Sequence, residues 1–315
     1  MDSLHLVDPQ LRPLLDAWPM TRLNDETLAA SRAREFPIPP FDRRGTLLER
    51  RSVPGPAGAP DVGLVIYRPE KPCGPLPAIF HIHGGGYVGG AADQMEFLHR
   101  PLVKALGCVL VSVDYRLAPE APFPAAIEDC YAGLAWVIAH GWALGIDPAR
   151  IGVMGESAGG GLAAALALMV RDRGGYALAF QHLIYPMLDD RTCVTADPHP
   201  HAGQFIWPPH NNHYGWGALL GHAPGIDGVS PYAAPARATD LSGLPPTYIA
   251  TGALDLFVEE DMDYARRLLR AGVATELHVY PGAFHGFDMF PGAAVAAQAV
   301  RDSRDALARF LRAAG

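Results

Sequence analysis

The stretch "GESAG", residues 155–159, sets one serine between small residues at the junction of an apolar run, "RIGVM", and a second, "AGGGLAAALALMV". A G-x-S-x-G motif between a strand and a helix puts the serine on a sharp, strained turn, where only small residues fit two positions to either side. The turn lifts the Ser157 hydroxyl clear of the sheet and points the first helix amides at whatever bonds to that oxygen. A serine alone is a poor nucleophile; it needs a base, and the base needs an orienting acid. Of the thirteen histidines, His5, His99, His140 and the group from His199 to His222 fall in N-terminal, helical or inserted segments. His285 instead follows "TELHVYPG" in "GAFHGFD", a glycine-flanked turn just before the last helix. For the acid, Asp255 follows "PTYIATGAL", at the carboxyl end of a strand, where open α/β sheets place their sites. Its rivals Glu259, Glu260 and Asp261 read as acids favouring the N-terminus of the next helix.

Acyl transfer also needs donors for an oxyanion. "HGGGYVGG", residues 83–90, follows the strand "PAIFHI", and its glycines leave backbone N–H groups open to a substrate oxygen. With the amide of Ala158 they would make a fixed donor set, each member worth about 2.7–4 kcal/mol in a transition state. His83 is expected to hold this loop by hydrogen bonding. His81 and His83 alternate on one strand, but no third ligand stands at useful spacing, so no metal is expected.

The elements that must position these groups alternate. Strands are expected in "TLLERRSV", "DVGLVIYRP", "PAIFHIH", "CVLVSVDY", "RIGVMG", "YALAFQHLIYP", "PTYIATG" and "TELHVY". Helices are expected over about 94–106, 124–140, 158–172, 259–272 and 293–313, from apolar spacing and acidic first turns. Such alternation predicts an α/β fold with a largely parallel sheet covered on both faces, and an antiparallel edge where the first two strands join through "PGPAGAP". Residues 1–45 are a helix-prone preface, ending in the proline-rich "FPIPPFDRR". Residues 187–244, rich in His, Pro, Trp and Gly, are too many for an ordinary loop. Preface and insertion together read as a cap on a catalytic domain spanning 46–315. Tyr87 beside the glycines, with Phe205, Trp207, Tyr214 and Trp216 of the insertion, would line an apolar acyl or alcohol pocket; aromatics in a cap serve equally as its own small core.

The chain has 315 residues, 49% hydrophobic and 18% charged, the balance of a compact protein with a large core. A formal charge of −8 with no basic block disfavours nucleic acid or an anionic membrane as partner. The N-terminus has acids and prolines where a signal peptide has a basic start and apolar core, and the longest apolar stretch, 158–170, is too short for a bilayer. Four scattered cysteines without a CxxC pair fit reduced thiols in the cytoplasm.

Together "HGGGYVGG", "DYRLAPEAPFPAAIEDC" (114–130), "GESAGGGLAAALAL", "LIYPMLD" (183–189), Asp255 and "HGF" (285–287) resemble the hormone-sensitive-lipase-like branch of the α/β-hydrolases, the bacterial family IV esterases. The resemblance runs from about residue 75 to 290, and the order Ser157, Asp255, His285 is the α/β-hydrolase order. It implies an eight-stranded α/β-hydrolase core with a helical cap, no cofactor, and serine carboxylesterase activity on short-to-medium acyl esters through an acyl-enzyme. By position the oxyanion donors fall on Gly85, Gly86 and Ala158, with His83, Gly84 and Glu156 supporting the motifs. Many members pair through the C-terminal edge strand, here "TELHVY", which implies a homodimer. Two departures stand out: Glu156 replaces the frequent aspartate before the serine, and "DLFVEED" replaces D-P-L-x-D. A non-catalytic small-molecule-binding protein on the same fold is the rival from another class; plant receptors that resemble the family lack the catalytic histidine, which this chain keeps. Hydrolysis of lactones, amides or carbamates is the rival among enzymes.

Overall fold

The computed structural model describes residues 3–18, 21–34, 38, 40–290 and 292–313; part of the proline-rich stretch at 36–40 lies outside them. Its strands are β1 (Thr46–Val53), β2 (Val62–Pro69), β3 (Leu76–Ile82), β4 (Val109–Asp114), β5 (Ile146–Glu156), β6 (Gln181–Ile184), β7 (Thr247–Gly252) and β8 (Thr275–Tyr280). Its helices are α1 (Arg12–Ala17), α2 (Leu28–Arg32), α3 (Glu96–Leu106), α4 (Ala125–His140), α5 (Ala158–Arg173), α6 (Pro209–Leu220), α7 (Val258–Arg270) and α8 (Ala294–Ala313). Each strand expected from the sequence forms, though β6 is shorter than "YALAFQHLIYP" and β5 begins earlier than "RIGVMG".

The eight strands make one sheet in the order β1-β2-β4-β3-β5-β6-β7-β8. β2 runs antiparallel to both β1 and β4, and the other neighbours are parallel. Both faces are covered, and the period-two alternation of strand side chains shows how. On β2, Leu64 and Ile66 join the core that holds α4 and α5, whereas Val65 and Tyr67 join the one that holds α3 and the end of α8. α5 is apolar on all sides because it is buried throughout its first thirteen residues, Ala158–Val170. β3 lies between β4 and β5, so the chain winds outward from it in two directions. The crevice beyond the carboxyl ends of β3 and β5 is the switch point of such a sheet, and the loops after these two strands carry the glycine run and Ser157.

The preface and the insertion are bonded to each other. Leu23 N–H donates to Asn211 Oδ1 at 2.8 Å, Asn211 Nδ2 donates to Thr21 O at 3.0 Å, and Tyr214 Oη donates to Asp25 at 2.9 Å. Ser3 N–H donates to Gln204 Oε1 at 2.9 Å. The two ends of the insertion behave differently: Met187, Leu188 and the apolar residues from Ala233 to Leu244 are packed into the main core. Arg32, the last residue of α2, reaches the glycine loop. Its Nε donates to Val88 O at 2.6 Å, one terminal nitrogen donates to Ala118 O at 2.8 Å, and the guanidinium pairs with Glu120 at 2.6 Å. All four cysteines are free thiols. Among the described residues, no helix is long and apolar enough to cross a membrane.

Candidate active site

Ser157 follows β5 directly and has φ 56° and ψ −123°. A left-handed backbone at a serine is costly and survives only where its surroundings over-determine it. The flanking glycines are those surroundings. A Cβ at Gly155 would meet Gly159 O at 2.3 Å, and one at Gly159 would meet Ile82 O at 2.0 Å. Backbone fills the space that side chains would need, so the G-x-S-x-G spacing is the steric trace of the turn.

The three expected groups converge from three loops. Ser157 Oγ lies 2.9 Å from His285 Nε2 and donates to it; His285 Nδ1–H donates to Asp255 Oδ2 at 2.8 Å. Asp255 is fully buried and also accepts from the Phe257 amide at 3.0 Å. Leu256, at the position where the resemblance implies a proline, packs close to Gly203 and leaves that acid in place. The imidazole is bounded by Tyr185 at 4.6 Å, by Phe257 edge-on at 5.3 Å and by Trp207 at 6.3 Å between ring centres. This wall fixes the ring and keeps water from its faces.

Gly84 sits against the Ser157 turn, with Glu156 O 2.9 Å and Ser157 Cβ 3.4 Å from the place its own Cβ would take. Gly86 has φ 63°, and its missing Cβ would fall 2.2 Å from Trp207 Cη2. Among the described residues no backbone acceptor is paired with the amides of Gly85, Gly86 and Ala158, whereas Gly85 O takes the amides of Val88 and Gly89. The loop is thus shaped by its carbonyls, leaving those amides available to an outside oxygen.

His83 holds this loop as expected: Nδ1–H donates to Gly84 O at 2.8 Å and the ring stacks on Tyr115 at 4.3 Å. Burial pulls its imidazole down to about 4, so it stays neutral. His81 is bonded through Nε2 to Glu156 at 3.0 Å and through Nδ1 to Ser112 Oγ at 2.8 Å. The longer side chain at 156 therefore has a buried partner on β3, a contact the sequence did not disclose. Among the described residues, no cluster of three or more His, Cys, Asp or Glu is arranged to hold a metal ion.

Two sets of expectations need correction. Glu259 is exposed at the start of α7 and fits the helix-terminus reading, but Glu260 and Asp261 are buried. Glu260 accepts the Leu188 amide at 2.6 Å and the Asp189 amide at 3.2 Å, tying the start of the insertion to α7. Burial pushes both carboxyls well above the usual range. Of the five pocket aromatics, Trp207 and Phe205 stand near the site, with Phe205 5.8 Å from Phe284. Tyr87 and Trp216 do not line a pocket: both are sealed in the core, 5.2 Å apart, and Tyr87 Oη donates to Met187 O. Tyr214 packs in a small cluster with Leu23, Leu28, Val88 and Ala118.

Four non-glycine residues have positive φ among those described: Tyr87, Ser157, Tyr185 and Ile206. They stand in the glycine loop, at the nucleophile turn, beside His285 and next to Trp207. Backbone strain is concentrated around one site, the pattern expected where geometry serves function.

Known proteins resemble this chain in sequence and in fold. Residues 79–289 match the model of a family described as the alpha/beta hydrolase fold. The chain is 36% identical over 293 residues to carboxylesterase NlhH of Mycobacterium tuberculosis, covering 90% of this chain and 89% of that protein. It is 36% identical to esterase LipI of the same organism over 304 residues, covering 94% and 92%. Among solved structures, a bacterial heroin esterase superposes with a TM-score of 0.90 at 39% identity, over 98% of this chain and 99% of that one. With the family model spanning most of the chain and relatives alike along nearly its full length, this protein belongs to the α/β-hydrolase fold family.

Proposed function

We propose that the chain is a serine carboxylesterase that cleaves short-to-medium acyl esters through an acyl-enzyme. The observation carrying this reading is the continuous chain of hydrogen bonds from Asp255 through His285 to a serine on a strained turn. His285 takes the hydroxyl proton as Oγ attacks the ester carbonyl, and Asp255 stabilises the imidazolium. The amides of Gly85, Gly86 and Ala158 receive the oxyanion. His285 then protonates the leaving alcohol, and water repeats the sequence on the acyl-enzyme.

Trp207 and Phe205 form the apolar side of the substrate pocket, and the preface with the insertion around α6 acts as its cap, supported by the bonds that join them. Free cysteines and a formal charge of −8 support a cytoplasmic protein acting on small molecules rather than nucleic acid. Pairing into a homodimer through β8 is supported by its place at the sheet edge, where Leu277 and Val279 are exposed.

The test is hydrolysis of p-nitrophenyl esters from C2 to C12 by the wild type and Ser157→Ala. The wild type is expected to prefer the shorter chains, and the variant to lose turnover by several orders of magnitude while keeping its circular dichroism. Equal activity in the variant would move the nucleophile elsewhere; no activity in the wild type would favour a binding protein.

A further inference from the structure

Tyr185 follows directly on β6 with φ 33°, a backbone that an aromatic residue adopts only at a cost. Three contacts keep it there. Its amide donates to Ala250 O at 2.6 Å, its ring lies 4.6 Å from the His285 imidazole, and its hydroxyl donates to Asp288 Oδ1 at 2.8 Å. Asp288 stands three residues after His285, in the short 3-10 turn Phe287–Met289. The loop that delivers the imidazole therefore also brings the acid that grips the ring packed against it.

Asp288 has no place in the proton relay, because Asp255 already occupies His285 Nδ1. Its partner is a phenol, and a hydrogen bond to a carboxylate is shorter and stronger than one between neutral groups. We propose that Asp288, acting through the Tyr185 hydroxyl, is a positioning residue that sets the plane of the His285 imidazole for proton transfer from Ser157. The assignment rests on the esterase reading above.

The groups that face Asp288 come from three elements: Tyr185 after β6, Glu156 at the end of β5, and His285 on its own loop. Burial is the main influence and raises the carboxyl to about 6; the Tyr185 bond opposes it, Glu156 adds to it, and His285 opposes it. The carboxyl is charged above that pH and neutral below it. As pH falls through this range the grip on Tyr185 weakens, because the acceptor loses its charge.

The experiment uses the full chain, p-nitrophenyl butyrate, and a fluorophosphonate that captures Ser157. Tyr185→Phe keeps the ring and removes the bond; Asp288→Asn keeps an acceptor and removes the charge. Tyr185→Phe is expected to lower kcat about tenfold with KM within about twofold, the size expected for one lost bond to a charged group, and to slow capture equally. Asp288→Asn is expected to stay within about threefold at pH 8, with the acid limb of its kcat/KM profile losing the part that follows the Asp288 titration at about 6. A Tyr185→Phe protein within twofold of wild type in kcat and capture would overturn the assignment, as would an Asp288→Asn profile that superimposes on the wild type. Should Tyr185→Phe fail to fold, the Asp288→Asn profile decides alone. A wild type that neither hydrolyses esters nor is captured at Ser157 overturns the esterase reading and this one with it. A reactive wild type with unaffected variants overturns only this one.

Discussion

Replacing Gly86 with alanine places a methyl group where there is no room for it. The new Cβ would lie 2.2 Å from Trp207 Cη2 and 2.7 Å from Cζ2, about 1.2 Å short of ordinary contact at the nearer atom. The indole cannot simply retreat, since its Nε1–H donates to Asn212 Oδ1 at 3.1 Å and its amide to Phe205 O at 2.7 Å. The φ of 63° adds about 1 kcal/mol for a residue with a Cβ. Either the ring is displaced or the loop shifts, and a shift near 1 Å takes the Gly86 amide out of reach of an oxyanion. Loss of one such donor costs about 2.7–4 kcal/mol, so kcat should fall by about 10²–10³. The assay is kcat on p-nitrophenyl butyrate for Gly86→Ala, Trp207→Ala and the double variant. If the clash is the cause, the double variant regains at least about tenfold over Gly86→Ala, because neighbours in contact are not additive. A folded Gly86→Ala enzyme within threefold of wild type, or a double variant whose loss is the product of the two single losses, would refute the reasoning.

Two further outcomes are expected. Asp255→Asn should retain the fold and bind substrate but lose about 10⁴-fold in kcat, because the amide no longer fixes the imidazole tautomer; a loss under tenfold would show that Asp255 does not orient the base. His182 is fully buried, stacked on Tyr248 at 4.5 Å, and burial holds its imidazole down at about 4. The unfolded chain, with an ordinary imidazole near 6.5, takes up a proton that the native state refuses, so wild-type stability is lost as pH falls from about 6.5 towards 4. Between pH 7.5 and 5 this amounts to about 2 kcal/mol, which His182→Phe should not lose. Urea titrations at the two pH values check it, and parallel changes in both proteins would contradict it.

The strained turn at Ser157 was legible because it leaves a local mark: two glycines at fixed distance, each facing backbone at under 2.5 Å. Asp255 and His285 were legible from their places at strand ends, since a parallel sheet gathers those ends on one side. The aromatics were not, because burial is decided by distant residues. Trp216 and Tyr87 meet across 129 positions of sequence, and periodicity says nothing about such a pair. Glu260 misled for a related reason. The first turn of a helix is a common place for an acid, but this one satisfies amides 72 and 71 residues away. His81 and Glu156 escaped notice because their contact crosses between neighbouring strands.

Arg32 gives the opening residues of the chain a role that their distance from the sheet conceals. Its guanidinium supplies donors to the carbonyls of Val88 and Ala118, and Val88 belongs to the same loop as Gly85 and Gly86. Shortening the protein at its beginning, though it removes no strand, would strip two buttresses from the loop that carries Gly85 and Gly86. A purification strategy that trims or crowds this end therefore acts on the loop proposed to receive the oxyanion.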